Sequence, residues 1–388
     1  MGRLVGLPAP VPGSSGAAVP ALGTGLQEPS RSPIYLPPRA FEDTERMRFD
    51  GRRPALSVVI ASRAGPNLFQ ALCSLSAAAA QVDGEVEVVL AFDGVAPRLP
   101  EPGPADGPAI AIRSLSLVRS GLPAARNAGW KAARSGLVLF LEEDMIASSA
   151  LFSAHLAAHA GHPGSLVVGR VVEMPDPITP WGEYEVAAVE RRWRRQREGR
   201  PGPIRVSMSN ASVSRAHLES SGGFAGWLPS EDDIELGFRL QSSGLQVIFA
   251  DQASSERRSG SSSEEWRARA RTRGRLDVAI YRDGVETGGT ASLLASFHDR
   301  HPLNRAVIRL AFRSPRAGRL LVGAAAWIGI GAHRAGLRRT SRLALSVVAN
   351  VEYWAGIREG LRGRASLQAR QVTGDDLPTA ASAAHVGR

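Results

Sequence analysis

Two clusters of acidic residues carry most of the chemical information in this sequence. Residues 142–144, Glu-Glu-Asp, directly follow the apolar run at 137–141, and residues 231–233, Glu-Asp-Asp, directly precede a second apolar pattern. Carboxylates grouped in this way bind divalent cations or act as general acids and bases. A strand that ends in acids places them where open α/β sheets bind ligands, so the first cluster predicts a metal and nucleotide site.

The elements that must position these acids alternate between strands and helices. Apolar runs predict strands at residues 56–61, 86–92, 110–118 and 136–141, and helical spacing of apolar residues predicts helices at 67–80 and 122–133. Strands that alternate with helices indicate parallel pairing through right-handed crossovers. We therefore expect an α/β fold with a nucleotide-binding half.

Composition sets the outer limits of the domain organisation. The chain has 388 residues, of which 43% are apolar, enough for one large domain of roughly 200 to 250 residues with appendages. We predict disorder at 1–52 and 366–388, a main domain at 53–290, and a basic, apolar helical extension at 291–365. The lone Cys73 excludes an intrachain disulfide framework and a cysteine-based zinc site, and the N-terminus lacks a signal-peptide core. A cytoplasmic location fits both observations.

The positive charge is concentrated in the C-terminal third. Residues 251–388 hold 23 Arg and 12 acidic residues, a balance of +11, against −1 for residues 1–250. The uncharged run 320–332 is shorter than the roughly 18 residues that span a bilayer, and arginines flank it on both sides. This pattern suits an interfacial helix, and equally a helix that packs on the main domain. We expect peripheral membrane association through residues 300–345 and no nucleic-acid partner.

Three histidines offer an alternative metal site. His155 and His159 have the i, i+4 spacing of zinc ligands on one helix face, and His162 follows them. No matching acid completes the motif, so the pattern favours a solvated helix end.

Several segments, in order, resemble the successive motifs of family 2 glycosyltransferases with the GT-A fold. They are Ser57-Val-Val-Ile-Ala-Ser62, Val86-Glu-Val-Val-Leu-Ala-Phe-Asp93-Gly94, Gly121-Leu-Pro-Ala-Ala-Arg126-Asn127-Ala-Gly129, Phe140-Leu-Glu-Glu-Asp144, Ser209-Asn210-Ala-Ser212, Gly222-Gly223-Phe224 and Asp232-Asp233-Ile-Glu-Leu-Gly-Phe-Arg239-Leu. The resemblance covers roughly residues 55–255. It implies a Rossmann-like, mostly parallel mixed sheet flanked by helices, with a nucleotide half at about 53–145, an acceptor half at about 146–290 and a helical C-terminal extension.

The resemblance also implies roles on the donor side. Glu142 and Asp144 match the first and last positions of the Asp-x-Asp motif that holds a divalent ion, Mn²⁺ or Mg²⁺, on the donor diphosphate. The residues that match nucleotide-sugar-binding positions are Ser62, Asp93, Arg126, Asn127 and Glu143.

On the acceptor side, the resemblance implies that Asp233 is the catalytic base, and Asp232 stands where a glutamate is usual. The expected acceptor-side residues are Trp227, Glu231 and Arg239. The family often supplies a histidine near the end of the next strand, and residues 247–256 contain none. The metal shell is then expected to use Asp251, Glu256, water or phosphate.

The function implied is a metal-dependent, inverting hexosyltransferase that moves a sugar from a nucleotide-diphosphate sugar to a hydroxyl acceptor. A polysaccharide, a lipid-linked intermediate and a small molecule all fit, and cell envelope polysaccharide biosynthesis at the inner face of the membrane would be a suitable setting. Two alternatives remain. A nucleotidyltransferase would need a Gly-rich basic loop after the first strand, where only Arg63 and Gly65 stand. A degenerate, non-catalytic protein would dock on membrane or nucleic acid through its Arg-rich C-terminal region.

Overall fold

The fold is seen in a computed structural model, which describes most of the chain between residues 53 and 363. The described residues are 53–97, 110–175, 178–199, 206–226, 228, 232–258, 260–283, 297–298, 300 and 302–363. The predicted disordered segments at 1–52 and 366–388 lie outside them, so those predictions stay predictions.

Eight strands of the described chain form one mixed sheet. In chain order they are β1 (Leu56–Ser62), β2 (Val86–Asp93), β3 (Ala111–Leu117), β4 (Leu137–Glu142), β5 (Met145–Ala147), β6 (Leu166–Glu173), β7 (Asn210–Ser214) and β8 (Val247–Arg257). Their spatial order is β3-β2-β1-β4-β7-β6-β8-β5. The pairs β3-β2, β2-β1, β1-β4 and β6-β8 are parallel, and the others are antiparallel. The predicted strands of the first half are confirmed.

Helices cover both faces of this sheet, because the central strands are apolar on both sides. Helices α1 (Leu68–Ala79) and α3 (Leu151–Gly161) contribute to the core on one face. The other face is packed by α2 (Leu122–Ala132), α5 (Arg215–Ser221) and α6 (Asp232–Ser242). A further helix, α4 (Pro180–Arg197), follows β6. The expected flanked α/β sheet is therefore confirmed.

The helical C-terminal extension is also confirmed. It comprises α8 (Pro302–Arg313), α9 (Pro315–Arg334) and α10 (Arg338–Gly363), and it packs on α7 (Ser263–Asp283), which lies inside the main domain predicted at 53–290. Helices α7 and α10 cross at Gly274 and Gly356, where a Cβ atom would lie 2.0 Å from the Tyr353 carbonyl oxygen and 1.9 Å from the Arg271 carbonyl oxygen, respectively. Only glycine allows the two backbones to approach this closely. Among the described helices, none is long and apolar enough to cross a membrane.

Candidate active site

The strand register brings the predicted donor-side residues to one edge of the sheet. Ser62 pairs with Phe92, and Ala61 pairs with Glu142, so β1, β2 and β4 end at nearly the same level. Since all three strands are parallel, their carboxyl ends share one edge. We call this edge, where Ser62, Asp93 and Glu142 lie, the carboxyl edge.

Asp93 is a buried carboxylate at the carboxyl edge. Its Oδ1 accepts hydrogen bonds from the backbone N–H groups of Ser120 (2.8 Å) and Gly121 (2.9 Å), and its Oδ2 lies 3.1 Å from Nε of Arg63. Burial alone would raise the pKa of Asp93, but these donors outweigh burial, so the pKa is lowered. Gly121, with φ at 92°, precedes helix α2, so Asp93 also fixes the start of that helix.

A cavity of about 420 Å³ opens beside Asp93. Its lining residues are Ser62, Arg63, Phe92, Asp93, Gly94, Val95, Arg119 and Gly121. A cavity with an aromatic ring, a carboxylate and two guanidinium groups suits a nucleoside with an attached phosphate. Sequence reasoning placed Asp93 and Ser62 here but did not assign Arg63 or Arg119.

Glu143 holds the loop between β1 and α1. Its Oε2 accepts hydrogen bonds from the Ser62 hydroxyl and from the backbone N–H groups of Arg63 (3.2 Å) and Gly65 (2.9 Å). Ala64, inside this loop, has φ at 62°, which a residue with a Cβ adopts at a cost. Glu143 therefore stabilises a strained loop that lines the cavity, and its predicted contact with the donor stays a prediction.

Arg257, at the end of β8, lies among three carboxylates. Its guanidinium contacts Glu142, lies 2.7 Å from Oε1 of Glu173, and has Nε 3.9 Å from Oδ1 of Asp144. The register explains the arrangement, because Arg257 pairs with Met145 on one side and with Glu173 on the other. We call Glu142, Asp144, Glu173 and Arg257 the acidic cluster.

Burial and neighbouring like charges shift the pKa values of the acids in this cluster. Burial is the main reason that the pKa of Asp144 is raised to about 6; Glu142 and Glu173 add to the rise and Arg257 opposes it. The pKa of Glu173 is raised for the same leading reason, again against the effect of Arg257. The three acids together raise the pKa of Arg257 despite its burial, so the guanidinium stays charged.

The acidic cluster does not fit a metal ion as it is arranged. Its carboxylates are ligands that Mg²⁺ and Mn²⁺ prefer, but a guanidinium lies among them. In the part of the chain that the structure describes, no group of three or more His, Cys, Asp or Glu side chains could hold an ion. Nor does Asp251 join the cluster, because it binds Trp193 and Arg197 of α4. Glu256 lies 3.9 Å from Arg258. The ion at Glu142 and Asp144 stays a prediction.

Asp233, the predicted base, lies in the first turn of α6. Its Oδ2 accepts hydrogen bonds from the Ser207 hydroxyl (2.6 Å) and from the backbone N–H of Met208 (3.2 Å). These residues directly precede β7, whose Asn210 pairs with Leu141 of β4. Asp233 is thereby held at the carboxyl edge near Glu142. Asp232 is the first residue of α6, and the predicted acceptor-side residues Trp227 and Glu231 lie outside the described residues.

Arg126, Asn127 and Arg239 converge on the turn at residues 221–224. The Asn127 side chain donates to the Phe224 carbonyl (2.8 Å) and accepts from the Phe224 N–H (2.9 Å), and the Arg126 guanidinium lies 5.5 Å from the Phe224 ring centroid. Arg239 pairs with Glu235 and donates to backbone carbonyls of the turn. These contacts are structural. The predicted roles of Arg126 and Asn127 toward the donor, and of Arg239 toward the acceptor, stay predictions.

The histidines of α3 are not a solvated helix end, so that expectation is wrong. His155 is fully buried, with Nδ1 2.8 Å from the Ser212 hydroxyl and Nε2 2.9 Å from Oδ1 of Asn210. His159 Nε2 also lies 2.8 Å from the Ser212 hydroxyl. Burial lowers the pKa of His155 to about 4, so the ring is neutral. Both rings join α3 to β7; His155 is closed off from water and His159 is half-buried, while His162, directly after the helix, is exposed.

Comparison with known proteins places this fold. No protein-family model matches the sequence, and no curated protein is similar to it in sequence. Among solved structures, it is similar to a mannosyltransferase from Pyrobaculum calidifontis in complex with GDP-mannose and Mn²⁺, with 15% identity and a TM-score of 0.50 over 82% of this chain and 92% of that one. The fold is that of a glycosyltransferase. S. aureus TarS in complex with UDP-GlcNAc is a weaker match, with 13% identity and a TM-score of 0.41 over 75% of this chain and 90% of that one.

Strand pairing explains why two residues of the acidic cluster, Arg257 and Glu173, could not be predicted from the sequence. The resemblance predicts a histidine near the end of this strand; residues 247–256 contain none, and Arg257 is the next residue. Its position among acids follows from the pairing of β8 with both β5 and β6, which no local pattern indicates. Glu173 was missed for the same reason. The signal in the sequence that could have indicated Arg257 is a basic residue at the end of a strand.

Proposed function

We propose that this protein transfers a sugar from a nucleotide-diphosphate sugar to a hydroxyl acceptor, with inversion at the anomeric carbon. The observation that carries the proposal is that the Asp93 cavity, the acidic cluster and Asp233 share the carboxyl edge of one glycosyltransferase-type sheet. A nucleotide bound in the cavity would direct its diphosphate and sugar toward Glu142 and Asp233.

In the proposed reaction, the acceptor oxygen attacks the anomeric carbon as Asp233 takes its proton. The bond between that carbon and the diphosphate oxygen breaks, and the bonding electrons leave with the nucleoside diphosphate. Ser207 and Met208 fix the base by donating to one carboxylate oxygen of Asp233. Arg63 and Arg119, which line the cavity, are the cations that the diphosphate of a bound nucleotide would meet.

The identity of the sugar and of the acceptor is a further part of the proposal. The Pyrobaculum enzyme was solved with GDP-mannose, which supports a hexosyl donor. A hydroxyl acceptor carried on a lipid, on a polysaccharide or on a small molecule is compatible with the site. The divalent ion of the sequence prediction is supported by the Mn²⁺ in that structure, while the acidic cluster as arranged does not fit it.

Binding of nucleoside diphosphates tests the donor half of the proposal. Thermal shift with UDP, GDP and TDP, each with and without Mn²⁺, should show stabilisation by one of them. Asp93→Ala should weaken that binding because the cavity loses its anchoring carboxylate, and Glu219→Gln, an exposed change on α5, should leave it unchanged. Absence of binding to every diphosphate would favour the non-catalytic alternative, and pyrophosphate release from a nucleoside triphosphate would favour the nucleotidyltransferase.

Substitution of the base tests the catalytic half. We predict that Asp233→Asn lowers kcat by roughly 10² to 10⁴, the usual contribution of a general base, and leaves diphosphate binding within about twofold. The rate is measured as release of nucleoside diphosphate from sugar nucleotides that carry the diphosphate found to bind in the thermal-shift experiment. An Asp233→Asn variant with normal turnover would remove this residue from the mechanism, and Asp232→Asn would then be the next variant to measure.

A further inference from the structure

An apolar stripe runs along the solvent side of α9. Trp327 and Leu320 are 79% and 75% exposed, and Ile328 is 47% exposed. Leu320 and Trp327 are seven residues apart and therefore lie on one helix face. Burial of a tryptophan side chain contributes strongly to association, so a tryptophan that stays in water indicates a binding surface.

The opposite face of α9 fixes the direction in which this stripe points. Val322 packs in a cluster with Trp266 of α7 and with Leu345 and Val348 of α10. Ala332, one turn from the C-terminal end of the helix, is buried as well. Because α9 is anchored on its inner face, Leu320 and Trp327 project outward from the protein.

The charge of the surrounding residues indicates that the partner of this surface is anionic. Residues 302–351 contain nine arginines and no Asp or Glu. Arg316 and Arg334 continue the line of the stripe at its two ends, 18 residues or about 27 Å apart along the helix axis. Within the described residues, neither of them forms an ion pair with an acidic side chain. Leu337 and Leu343 are exposed beside Arg339 and Arg342, so the same composition continues into α10.

We propose that α9 lies flat on an anionic lipid bilayer, with Trp327 and Leu320 in the interfacial layer and the arginines on lipid phosphates. An apolar centre with cationic ends is the pattern of an interfacial helix. Each arginine near an anionic surface adds attraction that salt weakens. A nucleic acid would use the cations but would leave the apolar centre of the stripe in water.

The bilayer surface would lie close to the carboxyl edge. Glu183, in the first turn of α4, pairs with Arg338 and lies 3.4 Å from Nδ1 of His333, where α9 joins α10. Helix α4 follows β6, which ends at Glu173 in the acidic cluster. If the protein is the proposed glycosyltransferase, on which this step rests, a lipid-linked hydroxyl acceptor would reach Asp233 from the membrane.

Vesicle flotation with the full-length protein tests the surface. The protein should float with vesicles of equimolar phosphatidylcholine and phosphatidylglycerol at low salt and not with phosphatidylcholine alone. Trp327→Ser, and separately Arg316→Glu with Arg334→Glu, should each weaken binding by at least about tenfold. Val118→Ser, which removes an equally exposed apolar side chain elsewhere, and Arg194→Glu, an exposed reversal on α4, should bind as the wild type does.

Three outcomes would overturn the proposal. The first is absence of binding to anionic vesicles. The second is that the two control variants lose as much vesicle binding as the Trp327 and arginine variants do. The third is a concentration-dependent dimer in sedimentation that Trp327→Ser abolishes, which would show that a second copy covers the stripe. Nucleoside diphosphate binding by the same variants separates this proposal from the proposed function. The Trp327→Ser variant should retain it, so a failed flotation with intact nucleotide binding would count against the membrane surface alone.

Discussion

Arg257 gives the acidic cluster its electrostatic character. A single guanidinium faces three carboxylates, so the cluster keeps a surplus of negative charge while its most central position is already taken. A divalent ion that approached Glu142 and Asp144 would be repelled by Arg257 and would compete with it for the same oxygens. We therefore expect Arg257 to oppose binding of the predicted ion to the protein without its donor.

We predict that Arg257→Met raises the affinity of the free protein for Mn²⁺ by tenfold or more, because the variant frees carboxylates and removes a like charge. Calorimetric titration with Mn²⁺ measures this directly. Arg258→Met is the matched control, since Arg258 is the next residue, is half-exposed and, among the described residues, has its nearest acidic partner, Glu256, at 3.9 Å. An affinity unchanged between wild type and Arg257→Met would mean that the cluster is not where an ion binds.

At the scale of elements, strands and helices were predictable wherever local patterns decide them. The runs at 56–61 and 86–92 became β1 and β2 because they are apolar except for Ser57 and Glu87, respectively, and end at polar residues. Contacts between residues that are far apart in the chain were not predictable. The i, i+4 spacing of His155 and His159 gave the correct helix face, but only the pairing of β7 beside β4 and β6 shows that this face is covered.

The buried His155 predicts how stability depends on pH. Its pKa is about 4 in the folded protein against 6.5 for an ordinary histidine, so between these values the unfolded chain takes up a proton that the folded protein does not. The free energy of unfolding therefore falls as the pH falls from 6.5 toward 4, at up to about 1.4 kcal/mol per pH unit from this group.

In His155→Gln, this contribution disappears. Urea unfolding of wild type and variant at matched pH values should give a difference in unfolding free energy that is largest above pH 6.5 and shrinks toward pH 4. Subtracting the two proteins at each pH removes the effect of the other titrating groups. Two curves that stay parallel throughout this range would show that His155 does not titrate as the buried geometry requires.

At the scale of the whole molecule, an ion-pair network around one buried carboxylate joins α7 to α10. Glu352 is almost fully buried and accepts hydrogen bonds from Arg267 and Arg271, at 2.6 Å from the nearest nitrogen of each. Glu359, seven residues further along the same helix, pairs with Arg271 and Arg275 but is 42% exposed. The two glutamates thus offer similar partners at very different burial.

We predict that Glu352→Gln lowers the free energy of unfolding by about 2 kcal/mol, because the buried carboxylate, which accepts hydrogen bonds from two half-exposed guanidinium groups, loses its charge. Glu359→Gln should cost less than about 1 kcal/mol, since water replaces an exposed ion pair. Urea unfolding followed by tryptophan fluorescence measures both, and Trp354 in the adjacent cluster reports on this region. Equal losses in the two variants would contradict the dependence on burial.

The position of β8 in the sheet has a consequence for biosynthesis. Arg257 and Glu142 are separated by 115 residues, and β8 must insert between β6 and β5 before they meet. A nascent chain that has not yet released β8 from the ribosome would carry Glu142, Asp144 and Glu173 without their counter-ion. Such long-range closure is slow relative to local folding. The last of the described strands to be synthesised therefore completes the described sheet and offsets part of the cluster's negative charge in the same step, so a chain truncated before β8 would acquire neither.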